Sequence, residues 1–302
     1  MELRTSDDKL TFIVDNLLSF SFPDSGGSIV TNKLAYELAR RGNYVYVFNT
    51  PKYYHENIRV ISTVAHPNGD GWTSNYMWEG ISYDPQRTVG IYTQLTWGNP
   101  FNTIHNTRWI LHDCSEDHWK TFGENDHICN FGTFKVPDNV NQSVLTTFDY
   151  RLDEFKNNNN PNRKGFAHLI HKNTPDWGRD FIKNFGSKEI PHFDGRKEFE
   201  NLNDEFNKYE YLLTFDDKSY YTTIAALCGC KVIILNPDKN KTPLQYRMEN
   251  PIQMCGVAYG FNDIEWANKT IDIVRDNLKQ LEINDNKTID SFVRYWYDKL
   301  LK

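Results

Sequence analysis

The chain has 302 residues, enough at about 150 per domain for two ordinary domains each with its own core, which excludes a disulfide-stapled miniprotein and a disordered tail. It is 39% hydrophobic and 15% aromatic, with a mean hydropathy of −0.67, a balance expected of a soluble globular protein. Thirty-four Lys and Arg against 40 Asp and Glu leave a net charge of −6, so no overall field holds nucleic acid or an anionic membrane and any bound phosphate must be held locally.

The charged start MELRTSDDKL and the lack of any run of about 18 apolar residues predict neither a signal peptide nor an integral membrane segment. Leu10 to Asn16 (LTFIVDN) reads as a short buried strand, FPDSGGS as a turn-rich loop, and TNKLAYELARRG as a helix with Leu34, Ala35, Leu38 and Ala39 at helical spacing. Gly42 ends it and NYVYVFN is the next strand. Strand, glycine loop, helix, strand is a βαβ unit, which predicts a parallel sheet with right-handed crossovers. RVISTV and TVGIYTQL follow as strands and TRWILHDC as a further apolar segment, with the irregular loop His66 to Glu79 between the first two. The run Lys156 to Pro161 (KNNNNP) is expected to be an exposed linker.

Alternation then resumes: strand Gly165 to Ile170, helix Trp177 to Phe185, strand Lys188 to Pro191, helix Arg196 to Asn207, strand Tyr211 to Phe215, helix Tyr220 to Cys228 and strand KVIILN. TIDSFVRYWYDKLLK is an amphipathic helix whose Phe292, Trp296 and Leu300 need a surface to cover. The expected class is α/β, with two Rossmann-like, doubly wound parallel-sheet domains facing a central cleft. Residues 1–157 form the first, 158–285 the second, and 286–302 a helix crossing back to the first. Five cysteines, an odd number with only Cys228 and Cys230 close together, read as reduced, buried thiols in a cytoplasmic protein. On that reading the Asn-x-Ser/Thr matches at Asn141, Asn240, Asn268 and Asn286 are chance.

Three segments could carry chemistry. In PDSGGS the pair Gly26 and Gly27 lets backbone approach a ligand at a helix start, or simply makes a tight turn; the G-x-G-x-x-G dinucleotide fingerprint is absent. TFDDKSYYTT joins a strand end to a helix start and gathers Asp216, Ser219, Tyr220, Tyr221, Thr222 and Thr223, where hydroxyls and open amides suit a diphosphate or serve as plain N-caps. Adjacent carboxylates Asp216 and Asp217 point to opposite sides of a strand end, which disfavours a shared metal. RKGFAHLIHK ends in Lys172, a point charge able to neutralise a diphosphate leaving group or merely a solvated strand end. His168 reads as a neutral core residue and His171 as a surface one.

Four segments taken together resemble a known family. Tyr92 to Trp109 (YTQLTWGNPFNTIHNTRW) is similar to a tyrosine, Gly-Asn-Pro and Arg-Trp block in the N-terminal domain of polysaccharide glycosyltransferases of the GT-B fold. RKGFAHLIHK resembles the first strand of their donor domain, Phe215 to Leu235 (FDDKSYYTTIAALCGCKVIIL) their donor-site signature, and Cys255 to Ala267 (CGVAYGFNDIEWA) a later Gly-x-Ala-Tyr-Gly block. Their order and spacing over most of the chain resemble retaining GT-B glycosyltransferases related to family 4, and the asparagine runs and compact length are similar to those of large algal viruses.

The resemblance implies transfer of a sugar from a UDP- or GDP-sugar to a glycan, glycoprotein or other hydroxyl acceptor, with retention and with no metal or other cofactor. The nucleotide-sugar donor is then the substrate held by the second domain. Carried over by residue, Lys172 stabilises the departing diphosphate, amides around Tyr221 and Thr222 hold its phosphates, Asp216 contacts the donor sugar, and Gly26 and Gly27 line the donor and acceptor side of the cleft. Gly98, Asn99 and Arg108 match the family block. His112 or Asp113 would orient or deprotonate the acceptor hydroxyl. Two departures stand out: where the family has glutamates eight positions apart, this chain has Asp216 and Ile224, and the basic partner of the diphosphate lysine is replaced by His168 at the nearest position. Two rival functions therefore stay open, a nucleotide-sugar 2-epimerase and a non-catalytic nucleotide or sugar binder.

Overall fold

A computed structural model describes residues 9–16, 26–47, 53–60, 83–132, 134–170, 174–190, 201–235 and 238–301. Its contacts divide the chain into two compact units, Met1–Asp149 with Asn284–Lys302, and Tyr150–Ile283. The loop expected at His66 to Glu79 and most of RVISTV lie outside the described residues.

In the first unit, β1 (Thr11–Val14), β2 (Tyr44–Val47), β3 (Ile58–Val60), β4 (Thr88–Thr93), β5 (His105–Ile110), β6 (His127–Asn130) and β7 (Gln142–Val144) form one sheet in the order β3-β2-β1-β4-β5-β6-β7. Every pairing is parallel. The continuous apolar runs explain this, because a parallel strand is buried on both faces. The segment TRWILHDC is the carboxyl part of β5 and the loop after it.

Helix α1 spans Gly26–Arg40 and so starts five residues before its apolar period becomes readable. Gly26 and Gly27 belong to its first turn and not to a loop. The early turns bury Ser28, Thr31 and Asn32, polar residues that a hydrophobic pattern does not register. Their side chains are satisfied locally: Thr31 Oγ1 donates to Gly27 O (3.0 Å) and Asn32 Nδ2 to Ser28 O (2.8 Å). One further short helix, α2 (Glu116–Trp119), follows β5.

The second unit has a five-stranded parallel sheet, β8 (Phe166–His168), β9 (Lys188–Glu189), β10 (Tyr211–Thr214), β11 (Lys231–Ile234) and β12 (Val257–Tyr259), ordered β12-β11-β10-β8-β9. Read from β9, the five strands run 2-1-3-4-5, the flavodoxin-like doubly wound order. The helices are α3 (Asp176–Asn184), α4 (Leu202–Phe206), α5 (Tyr220–Leu227), α6 (Pro243–Glu249) and α7 (Ile264–Thr270). Ile182, Leu213, Ile233, Leu235, Ala258 and Ala267 make a core on one face. Only the Leu202–Phe206 part of the helix expected at Arg196 to Asn207 falls among described helical residues.

The asparagine run is exposed at 156–159, as expected, and falls inside the second unit instead of at its boundary. Lys156 N donates to Asn203 Oδ1 and Asn158 N to Asn207 Oδ1, both at 2.8 Å, and Asn160 Nδ2 donates to Asn207 O (3.1 Å). The amides of Asn203 and Asn207 carry both donors and acceptors, so they can hold the run through its backbone without any apolar contact. Arg163 completes the clasp, donating to the carbonyls of Phe206, Tyr209 and Cys228.

Beyond α5, Gly229 takes φ +79°, and Cys230 N and Gly229 N bond to Ala225 O and Ala226 O in a Schellman closure. A Cβ there would also meet the Asn157 side chain at 2.6 Å. Gly229→Ala is expected to cost about 1–3 kcal/mol, read as a lower Tm in a thermal melt. The five cysteines are all free; Cys129, Cys228, Cys230 and Cys255 are buried, and burial pushes the Cys228 thiol up to about 12. They act as small core hydrophobes.

The last helix, α8 (Val274–Leu300), is longer than its sequence signal. Ile289, Phe292, Val293 and Trp296 pack with Leu10, Phe12, Trp109, Cys129 and Leu145 of the first unit. Trp296 Nε1 donates to Thr107 Oγ1 (3.1 Å), and Arg41 Nε to Asp290 Oδ1 (2.7 Å). Among the described residues no helix is long and apolar enough to cross a membrane.

Candidate functional site

In an open parallel sheet, ligands bind outside the carboxyl ends of the strands where the strand order reverses. In the second unit that reversal lies between β8 and β10, which run side by side with Leu213 opposite His168. The turn after β10 is built from its own side chains. Asp216 N donates to Thr214 Oγ1 (3.1 Å) and Lys218 N to Asp216 Oδ1 (3.0 Å), so Asp216 is buried as the hinge of an Asx turn. Burial, with Asp216 adjacent, raises the Asp217 carboxyl above its ordinary value.

Ser219 is the N-cap of α5, its Oγ accepting from Tyr221 N (3.3 Å). Thr222 Oγ1 donates to Ser219 O (2.6 Å) and accepts from Gln253 Nε2 (2.7 Å), and Gln253 Oε1 accepts from Tyr259 Oη (2.9 Å). Asn250 Nδ2 holds Asp217 O (3.1 Å) from the far side. Thr222 and Thr223 are buried, while Ser219 and Tyr220 are half-buried at the rim. The structure thus gathers Asp216, Ser219, Tyr220, Tyr221, Thr222 and Thr223 around one helix start, with the serine hydroxyl occupying a position on an amide that an anion would also want.

His168 ends β8 and is 3% exposed. Ser187 Oγ donates to Ile182 O (3.2 Å), so it accepts at His168 Nδ1 (2.8 Å), and the imidazole carries its proton on Nδ1. Burial lowers its proton affinity, so the ring is neutral, and Nε2 is a buried acceptor with no partner among the described residues. A neutral acceptor does not replace a cation beside a diphosphate. Ile224 is fully buried and offers nothing to a ribose. Lys172 and His171 lie outside the described residues.

The remaining predicted residues fall in the first unit. A Cβ on Gly26 would meet none of the described residues within 4 Å. His112 is exposed, stacks on Phe134 (5.8 Å, 21°), and has Asp113 O 3.4 Å from Nδ1. Asp113 Oδ1 accepts from Lys135 N (2.9 Å) and does not orient the imidazole. Arg108, 1% exposed, is committed to the fold: Nε bonds Asp126 Oδ2 (2.7 Å), Nη1 Thr96 O (3.2 Å) and Nη2 Gly98 O, and the guanidinium lies over Tyr92 (4.7 Å) and Phe122 (4.9 Å). Asn99 is held by Tyr92 Oη and donates to Thr103 O (2.8 Å).

Sequence reading missed a second polar cluster. The first sheet reverses between β1 and β4, and at that edge Asp15, Asn16 and Asn32 are buried, Thr96 Oγ1 donating to Asp15 and Asn16 Nδ2 to Asn32 Oδ1 (3.4 Å). The signal was available: Asp-Asn directly ends an otherwise apolar strand. No group of three or more His, Cys, Asp or Glu side chains suited to a metal ion occurs among the described residues.

No family model matches the chain, and no curated protein matches it. Among solved structures the chain is similar to the glycosyltransferase SnogD from Streptomyces nogalater, with 10% identity and a TM-score of 0.42, over 95% of this chain and 99% of that one.

Proposed function

We propose that the chain is a glycosyltransferase that moves a sugar from a UDP- or GDP-sugar to a hydroxyl of a glycan or other acceptor, with retention and without a metal. The observation that carries the reading is the coincidence, at the β8/β10 reversal, of a capped helix start with buried Asp216 and hydroxyl side chains. The four segments that resemble GT-B enzymes support it from the sequence side.

In this reading the diphosphate takes the Tyr221 amide from Ser219 Oγ, and the positive end of α5 offsets its charge. Asp216, fixed by its turn, accepts a hydroxyl of the donor sugar, and Lys172 supplies the leaving-group charge. The acceptor hydroxyl must lie about 3–3.5 Å from the anomeric carbon. Neutral His168 contributes an acceptor for a hydroxyl and no positive charge.

Ser219→Asp separates fold from function. Aspartate caps a helix as well as serine, so the melting temperature is expected to hold or rise. Its carboxylate, however, sits where the diphosphate must bind and is expected to weaken UDP or GDP by tenfold or more in calorimetry. Equal nucleotide affinity in both proteins defeats the reading. Product analysis then separates transfer, which releases nucleoside diphosphate, from epimerisation, which yields an altered donor.

A further inference from the structure

Two imidazoles on adjacent strands of the first sheet carry a shielded ring nitrogen with no hydrogen-bond partner among the described residues: Nε2 of His105, which opens β5, and Nε2 of His127, which opens β6. Both lie against the last turns of α8. The His127 ring stacks on Tyr295 at 3.9 Å with 16° between planes, and meets Trp296 edge-on at 5.8 Å. His105 lies 6.0 Å from Trp296. Lys299, one turn on, covers the Tyr295 and Trp296 rings at 5.6 and 4.9 Å.

Burial and the cation nearest the imidazoles both favour their neutral form. Lys299 on α8 is the cation acting on both rings. Asp126, next to His127, is spent on Arg108, and Thr107, level with His127, takes the Trp296 N–H. The turn before β4 meets His105 through a Gln86 backbone bond that favours the charged ring but is outweighed by burial, and β7, beyond β6, brings the neutral Gln142 and Ser143. An imidazolium would therefore be desolvated beside an ammonium, with no carboxylate on either Nε2.

We propose that His127, backed by His105, is a proton-operated latch: neutral rings keep the end of α8 docked on β5 and β6, and proton uptake releases it. Burial first, and Lys299 second, hold His127 down at about 4, against 6.5 for the free side chain, and burial lowers His105 in the same sense. The docked ring thus binds its proton less tightly than the released one. Docking is at full strength above about pH 6.5 and weakens as the pH falls toward 4.

Hydrogen exchange over residues 286–301, corrected for the intrinsic rate, reads the latch in the full chain. Wild type is expected to lose protection on the order of tenfold between pH 7.5 and pH 5. His127→Phe, which keeps a ring on Tyr295 but takes no proton, is expected to lose less than twofold. Lys299→Gln changes an exposed side chain, so its fold is secure, and it should shrink the loss by letting docked His127 titrate nearer its ordinary value. Equal protection of wild type at both pH values, a wild-type loss in His127→Phe, or an undiminished loss in Lys299→Gln each overturns the latch.

Discussion

Trp296→Ala is expected to destabilise the first unit by about 3–5 kcal/mol, the cost of deleting a fully buried indole from a packed core. The residue joins the end of α8 to the sheet in two ways. Its ring belongs to the cluster with Trp109, Leu145, Phe292 and Val293, and its N–H satisfies Thr107 Oγ1, itself fully buried. Trp296→Phe keeps much of the packing and loses the bond, so it should cost less, about 1–3 kcal/mol for the stranded hydroxyl and the vacated volume. Urea unfolding followed by tryptophan emission measures both. A loss under about 1 kcal/mol for the alanine variant would mean that α8 is a passenger on the first sheet and not part of its core.

Arg108→Met is the second large effect, about 3–5 kcal/mol, because it leaves Asp126 buried without its cation and frees the carbonyls of Thr96 and Gly98. Asp126 keeps Asn106 Nδ2 (3.1 Å) and Gly123 N (2.9 Å), which compensate only in part. Arg108→Met combined with Asp126→Leu should be less destabilised than the sum of the two single variants, with a coupling of about 1–3 kcal/mol in a double-mutant cycle. Nucleotide binding should be unchanged, since Arg108 is enclosed by the first unit's own groups. Loss of nucleotide affinity at unchanged stability would instead make Arg108 a ligand contact.

These two residues show what could be read in advance and what could not. Trp296 was legible: four-residue spacing with Phe292 and Leu300 announced an apolar helix face, although not how far α8 runs before it. Arg108 was visible only as part of a block resembling a family, because its partners are a carboxylate 18 residues on and two backbone carbonyls that the chain fold alone assembles. The strands were legible as apolar runs, LTFIVDN and KVIILN above all. The start of α1 was not, since its first turns bury Ser28, Thr31 and Asn32 and satisfy them by side-chain bonds that leave no hydrophobic period. The asparagine run is exposed at 156–159, as its composition suggests, but its backbone is tied to Asn203 and Asn207, partners more than 40 residues on that composition does not reveal.

At the candidate site, the turn after β10 was legible because strand end, serine and helix start follow one another directly in the chain. The tautomer of His168 was not, for it is set by Ser187, 19 residues away, whose own proton is committed to Ile182 O. A neutral core histidine is what the sequence predicts at this position; burial at 3% exposure agrees with it, and the ring's hydrogen-bond partner is the part that was not legible.

A crystal structure of the protein grown with UDP or GDP tests the site most directly. Diphosphate oxygens are expected about 2.7–3.2 Å from the Tyr221 amide, with the Ser219 hydroxyl displaced from it. Nucleotide bound elsewhere, over an intact Ser219 cap, would contradict the proposed donor site.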